Sequence, residues 1–189
     1  MLKAIIFDIT GVLFPCQPWI GDRPSKEEIS KIKQVAIDIY HQEKMSKEYL
    51  KEKIFEANRP KKELQQIYDS LTCFDSDLFE LIKQLSKQYD LYAIANEAHK
   101  WTDIRKDLYN FDQYFKKLFI SAEIGKRKPD PDIFEYFLAE TGLKPEECLF
   151  VDDAKRNIET AIKLGFQTYQ YSNFKTFNEF IKPLLKFTL

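Results

Sequence analysis

The chain has 189 residues, 44% of them hydrophobic and 31% charged, which suffices for one sizeable core with at most a small appendage. Its 29 Lys and Arg residues nearly balance its 30 Asp and Glu residues, so no global field marks a nucleic-acid binder. Because no apolar run approaches the ~18 residues of a membrane span and the three cysteines lie far apart, we expect a soluble, cytoplasmic protein without disulfides, nucleic-acid partners or membrane partners.

Short apolar runs that end beside polar residues predict the strands of a parallel sheet. The first run, Ala4-Ile5-Ile6-Phe7, precedes Asp8 and a Thr10-Gly11 turn, which is typical of a strand buried on both faces. Four later runs predict further strands, at 91–95, 118–120, 149–151 and 166–169.

Amphipathic helical patterns separate these runs. Their apolar residues recur at helical spacing, at Leu78, Leu81, Ile82 and Leu85, at Ile133, Phe134, Phe137 and Leu138, and at Ile158, Ala161, Ile162 and Leu164. The alternation over 76–189 predicts an α/β fold, with a Rossmann-like open parallel sheet flanked by helices. In such sheets the ligand site lies at the carboxyl ends of the strands.

Residues 15–75 break this rhythm and predict a small helical module. Ser25 and Glu28 form a capping box, Ser46 is a second helix cap, and the stretch 64–71 has the apolar spacing of a third helix. We therefore expect a core formed by 1–14 and 76–189, and an α-helical cap at 15–75. Its insertion directly after the first strand places this module above the strand ends, where a lid would lie.

Scarce residue types exclude several classes of enzyme. With only two histidines, His41 and His99, a Ser/His/Asp triad or a multi-histidine zinc site is disfavoured. The five glycines do not form a GxGxxG dinucleotide fingerprint, and Gly125-Lys126 lacks the earlier glycine of a phosphate-binding P-loop.

Polar residues stand at or shortly after four predicted strand ends. They are Asp8, Asn96 after Ala95, Lys128, and the pair Asp152-Asp153. A carboxylate at the end of a buried strand is suited to be a nucleophile or a metal ligand, although a turn former gives the same pattern. The adjacent acids concentrate negative charge that a cation or an amine must offset, and Mg²⁺ and the lysine would supply these.

In this order and spacing, the motifs resemble the haloacid dehalogenase superfamily of hydrolases, in the branch with a small helical cap after the first motif. The resemblance spans essentially the whole chain and rests on 7–13, 95–96, 125–131 and 150–157. Receiver domains of response regulators also combine acidic residues with a Lys-Pro pair. There, however, the acidic pair precedes the phosphoacceptor, so the order in this chain argues against a receiver domain.

The resemblance implies a Mg²⁺-dependent phosphatase that acts on a small phosphorylated metabolite. Asp8 would attack phosphorus to give an aspartyl-phosphate, which water then hydrolyses, with Thr10 and Lys128 as the other catalytic positions. The implied phosphate-binding residues are Ile9, Thr10, Ala95, Asn96 and Lys128. The implied metal ligands are Asp8, the backbone carbonyl of Thr10 and Asp153, with Asp152 assisting and Asn157 supporting the metal shell.

Two positions depart from the superfamily pattern. Thr10 stands where phosphatases carry a second aspartate as general acid and base, and a hydroxyl is far too weak an acid for that task. Transport ATPases of the superfamily also carry threonine there, so we expect slow dephosphorylation. Ala95 replaces a hydroxyl residue that binds the phosphoryl group, a loss for which the Asn96 amide would compensate. The nearby Glu97 and His99 are more typical of a solvated helix start than of a replacement acid.

These departures leave other functions open. One alternative is a catalytically impaired relative that binds a phosphorylated ligand or a protein partner. A 2-haloacid dehalogenase also lacks the second aspartate, but it uses no Mg²⁺ and has no need of the acidic pair Asp152-Asp153. No motif in 15–75 names the substrate, and the sequence leaves the oligomeric state open.

Overall fold

The computed structural model describes residues 1–15, 47–56, 65, 68–69, 71–97 and 99–185. Within them, five strands form one parallel sheet in the order β3-β2-β1-β4-β5. The strands are β1 (Ala4–Phe7), β2 (Asp90–Ala95), β3 (Lys117–Ile120), β4 (Cys148–Asp152) and β5 (Gln167–Gln170). The predicted α/β fold with an open parallel sheet is confirmed.

Helices cover both faces of the sheet. The helices among the described residues are α1 (Lys47–Glu56), α2 (Ser76–Leu85), α3 (His99–Tyr109), α4 (Ser121–Ile124), α5 (Pro131–Thr141), α6 (Lys155–Lys163) and α7 (Phe174–Ile181). Short 3₁₀ turns lie at Phe111–Tyr114, Pro145–Glu147 and Lys182–Leu184. In the part of the chain that is described, no helix combines the length and the apolar character needed to cross a membrane.

Alternate residues of β1 belong to two separate hydrophobic clusters, as the two-residue period of a strand requires. Ile5 and Phe7 pack with apolar residues of α2 and α7 on one face. Ala4 and Ile6 pack with α5 and α6 on the other. The β1 register pairs Phe7 with Ala93 of β2 and Val151 of β4, so the strands end together at one edge of the sheet.

The predicted helical cap lies largely outside the described residues. Ser25, Glu28 and Ser46 all fall there, whereas α1 contributes a fully buried Ile54. Helical conformation also occurs at 65, 68–69 and 71–72, where Leu71 is buried. The division into a core and a cap at 15–75 therefore stays a prediction.

One detail of the predicted core is wrong. Ile162 was expected on the buried face of α6, but 56% of its surface is exposed. The buried residues of this helix are Asn157, Ile158 and Ala161, and Leu164 lies just beyond its last turn. The Asn157 side chain donates a hydrogen bond to Asp152 at the end of β4. The side of α6 that carries Asn157 is therefore buried, and Ile162 lies on the exposed side.

The N-cap of α2 provides a test of local stability. The Asp75 carboxylate accepts a hydrogen bond of 2.9 Å from the backbone N–H of Leu78. Because alanine would leave that donor unsatisfied, we expect Asp75→Ala to lower the free energy of unfolding by about 1 kcal/mol, measured by urea denaturation. Glu80→Ala, at an exposed position of the same helix, should change it by less than about 0.5 kcal/mol. Equal losses in both variants would contradict a capping role.

Candidate active site

Asp8 directly follows β1 at the carboxyl edge of the sheet. Its backbone N–H donates to the carbonyl of Val151 over 2.9 Å, and the residue is only 7% exposed. Oδ1 accepts a hydrogen bond of 2.7 Å from the N–H of Ile9 and lies 2.9 Å from Nζ of Lys128. Among the described residues no donor reaches Oδ2. The carboxylate is thus oriented through one oxygen, and the other is left for chemistry.

Lys128 joins two of the predicted carboxylates. Its Nζ lies 2.6 Å from Oδ2 of Asp152 as well as beside Asp8, and the residue is 1% exposed. The side chain of Asn96 fixes the lysine backbone: its Oδ1 accepts from the Lys128 N–H over 2.8 Å, and its Nδ2 donates to the Lys128 carbonyl over 2.7 Å. Asn96 therefore positions Lys128, a function that the sequence had not indicated.

Both oxygens of the Asp152 carboxylate accept hydrogen bonds. Its Oδ1 accepts from the N–H of Ala154 over 2.8 Å and from Nδ2 of Asn157 over 2.9 Å. Its Oδ2 accepts from Asn157 over 3.0 Å and from Lys128. The Asp152 carboxylate therefore holds the side chains of Lys128 and Asn157 in place.

Asp153 approaches the loop after β1, where Gly11 makes room for it. Gly11 has φ +101°, in the left-handed region that favours glycine, and a Cβ there would lie 2.6 Å from Cγ of Asp153. Any larger residue would therefore both strain the backbone and collide with the carboxylate. The positive φ and the close approach of Asp153 explain why glycine follows Thr10 in this turn.

The carboxylates of Asp8, Asp152 and Asp153 offer oxygens that lie within 4.8 Å of one another. Burial raises the pKa of Asp8 well above its ordinary value, the Lys128 ammonium opposes that rise, and the charges of Asp152 and Asp153 add to it. Burial alone would lower the pKa of Lys128, but the carboxylates of Asp8 and Asp152 outweigh it and raise that pKa. The Lys128 ammonium thus lies against Asp8 and Asp152, and a cation bound among the three acids would favour their charged forms.

The donor set fits Mg²⁺. It consists of three carboxylates whose oxygens lie within 4.8 Å of one another, and such hard oxygen ligands are the type this ion prefers. Asn157 Oδ1 is buried and has no hydrogen-bond partner among the described residues. A polar atom in that position suits a water of a metal shell.

Glu97 overturns the expectation of a solvated helix start. It is 6% exposed and forms a buried ion pair with Arg105, which is fully buried. Its Oε1 also accepts from the Thr10 hydroxyl, and its Oε2 accepts from Thr102 over 2.8 Å. Nη1 of Arg105 donates to Oγ1 of Thr10 over 2.8 Å. Thr10, which is itself partly buried, is thus tied into a polar cluster, Thr10-Glu97-Thr102-Arg105, whose other three members are buried.

The remaining predicted residues occupy the same edge of the sheet. Ala95 ends β2 and is fully buried, and the backbone N–H of Ile9 bonds to Asp8. Both polar ends of the Asn96 amide bond to the backbone of Lys128, and the expected compensation for Ala95 by this amide stays a prediction. The side chain of His99 lies outside the described part of the chain. Sequence reasoning missed Arg105, whose signal is a charge on the otherwise buried face of α3 that carries Trp101, Thr102 and Ile104.

The sequence of this chain matches a family of known proteins. The model of the haloacid dehalogenase-like hydrolase family matches residues 2–165. The chain belongs to this family. It is therefore a hydrolase of the haloacid dehalogenase type, and the predicted family is confirmed.

Several relatives of this hydrolase are similar over most of their length. The chain is 28% identical to the D-ribitol-5-phosphate phosphatase of Bacteroides thetaiotaomicron, over 92% of this chain and 93% of that protein. It is 29% identical to the sesquiterpene phosphatase astK of Aspergillus oryzae, over 86% of each chain. The solved structure of a predicted HAD-like family hydrolase from Porphyromonas gingivalis is 28% identical, with a TM-score of 0.63 over 98% of both chains.

Proposed function

We propose that this hydrolase is a Mg²⁺-dependent phosphatase for a small phosphorylated metabolite, with Asp8 as the nucleophile. The observation that carries the proposal is the buried ammonium of Lys128, which bridges Asp8 and Asp152 inside a cluster of three acids. Such a site binds a group that is anionic and needs a cation, as a phosphoryl group does. The two curated relatives, both phosphatases by name, support the same chemistry.

The geometry suggests how the chain's own residues act. Because Oδ1 of Asp8 bonds to Ile9 and Lys128, Oδ2 would attack phosphorus, forming an O–P bond as the bond to the leaving group breaks. Lys128 would stabilise the transferring oxygens by its charge. Water would then hydrolyse the aspartyl-phosphate and regenerate Asp8.

Asp8, Asp153 and the backbone carbonyl of Thr10 would hold Mg²⁺ in this proposal. The contacts of Asp152 with Lys128 and Asn157 give that acid a supporting part. When bound, Mg²⁺ supplies positive charge between the nucleophile and the phosphoryl group.

A second candidate function is that of a relative that binds a phosphorylated ligand or a protein partner without turnover. The observation that favours it is the engagement of Thr10 by Glu97 and Arg105, together with the missing hydroxyl at Ala95. The cluster of three acids argues against a third candidate, a 2-haloacid dehalogenase, which has no use for a bound cation.

Phosphate release tests these candidates. We expect a panel of phosphate esters and acyl phosphates to include substrates whose hydrolysis needs Mg²⁺, stops with a chelator, and falls at least about 1000-fold in Asp8→Asn. The matched control is Asp77→Asn, an exposed acid in the first turn of α2, which should keep full activity. Activity that survives in Asp8→Asn, or silence across the panel while Mg²⁺ and phosphate bind, would overturn the proposed phosphatase.

A further inference from the structure

The hydroxyl of Thr10 carries a single proton, and the contacts of Thr10 with Glu97 and Arg105 fix the direction in which that proton points. The guanidinium of Arg105 only donates hydrogen bonds, so in its contact with Oγ1 of Thr10 the hydroxyl accepts. The Glu97 carboxylate, paired with the same guanidinium, only accepts, so the hydroxyl donates to Glu97. Both directions follow from the chemistry of the two partners.

The surroundings hold this arrangement firmly. Arg105 is fully buried, and its guanidinium carbon lies 4.2 Å from the centre of the Phe14 ring. Thr102 donates to the second oxygen of Glu97 over 2.8 Å. Turning the Thr10 proton towards a substrate would therefore leave the buried carboxylate of Glu97 without one of its hydrogen-bond donors, which is unfavourable.

We propose that Thr10, held in this cluster, gives no proton to a leaving group and that the protein is therefore specific for activated phosphoryl donors. This inference rests on the proposed function of Asp8. The Asp8 oxygen forms a bond to phosphorus, the bond from phosphorus to the leaving oxygen breaks, and that oxygen departs with the electron pair as an anion. Acyl phosphates, phosphoanhydrides and aryl phosphates release anions that are stable without protonation.

Esters of aliphatic alcohols would have to release an alkoxide, which needs a proton from a general acid. The chain is thus expected to differ from a relative such as the D-ribitol-5-phosphate phosphatase, whose named substrate is an ester of an aliphatic alcohol. A difference in accepted leaving groups is compatible with similarity over 92% of the chain. In this proposal the choice of leaving group depends only on the few residues around Thr10.

The test is the dependence of kcat/KM on the leaving group. With Mg²⁺ and a series of substituted phenyl phosphates of similar shape, we expect kcat/KM to fall steeply as the phenol becomes less acidic, by about 100-fold from 4-nitrophenyl to phenyl phosphate. Acetyl phosphate should be a good substrate, and D-ribitol 5-phosphate should be slower by about 10²–10⁴-fold, the usual contribution of general acid catalysis. A flat dependence on the leaving group would overturn the inference, because some group must then donate a proton.

Variants separate this inference from a structural effect of the cluster. Thr10→Val removes the hydroxyl but keeps the backbone carbonyl. In this variant kcat/KM should change by one common factor for all the phenyl phosphates, and the slope of kcat/KM against the acidity of the leaving phenol should stay the same. A steeper slope in this variant would show that the hydroxyl does donate. Thr102→Val, which removes the other hydroxyl bonded to Glu97, is the matched control for packing.

The outcomes distinguish the two proposals. If hydrolysis depends on Asp8 but kcat/KM does not depend on the acidity of the leaving group, only the proposed specificity for activated donors is overturned. If neither 4-nitrophenyl phosphate nor acetyl phosphate is hydrolysed in an Asp8-dependent manner, the proposed phosphatase fails and the specificity fails with it.

Discussion

Lys128→Met is expected to lower the free energy of unfolding by about 3–5 kcal/mol, the usual effect of removing one partner from a buried ion pair. Nζ of Lys128 lies 2.9 Å from Asp8 and 2.6 Å from Asp152, and both acids are buried. Without the ammonium, each carboxylate keeps its burial but loses the opposite charge. Urea denaturation in the absence of divalent cations measures the loss, and Lys128→Gln, which keeps a donor, should lose less.

Mg²⁺ extends this prediction. Since Lys128→Met removes the ammonium that bridges Asp8 and Asp152, Mg²⁺ bound at the cluster of three acids should raise the melting temperature of the variant more than that of the native chain. Lys116→Met is the matched control, because Lys116 forms a pair of 2.7 Å with Asp90 but its side chain is 59% exposed. It should change the stability by less than about 1 kcal/mol and leave the effect of Mg²⁺ unaltered. A Lys128→Met variant as stable as this control would contradict the buried-cluster interpretation.

The sheet was predictable because burial on both faces leaves a strong trace in the sequence. A strand such as β4 needs apolar residues at successive positions, and Leu149-Phe150-Val151 shows that run directly. Helices buried on one side, such as α2 with Leu78 and Leu81, show the 3.6-residue period. Ile162 was misassigned because the period alone does not say that Asn157, a polar residue, occupies the buried stripe of α6.

The edge where the polar residues meet was also predictable, since parallel strands end together. That reasoning brings Asp8, Lys128 and Asp152 to one place, as the structure does. It does not give hydrogen-bond partners, which depend on loop conformation. The bonds from Asn96 to the backbone of Lys128 depend on the loop that carries the lysine, and no spacing in the sequence specifies them.

The cluster around Thr10 could not be derived from local patterns. Glu97 and Arg105 are polar residues near the start and in the middle of a helical segment, where a solvated surface is the usual outcome. Only tertiary packing places Phe14 against the guanidinium and the Thr10 hydroxyl within hydrogen-bond distance of both charged groups. The position of Arg105 on the buried face of α3 was the one available signal.

Arg105→Met is expected to lower the free energy of unfolding by about 3–5 kcal/mol, because Glu97 would keep its burial without its guanidinium partner. Arg105 is fully buried and Glu97 is 6% exposed, so solvent cannot replace the lost contact. Arg105→Lys should also be destabilised, since an ammonium lacks the planar group that contacts both Glu97 and the Phe14 ring. Urea denaturation of each variant gives these values.

A double variant makes the prediction specific to charge burial. Combining Arg105→Met with Glu97→Leu removes both charges, and replacing a whole buried pair by apolar residues is often close to neutral. We therefore expect the double variant to be more stable than Arg105→Met alone, by about 2 kcal/mol or more. Lys83→Met is the control, because Lys83 and Glu80 form an exposed pair with side chains 48% and 67% accessible. If the double variant were less stable than Arg105→Met alone, packing of the arginine stem rather than the ion pair would account for the loss.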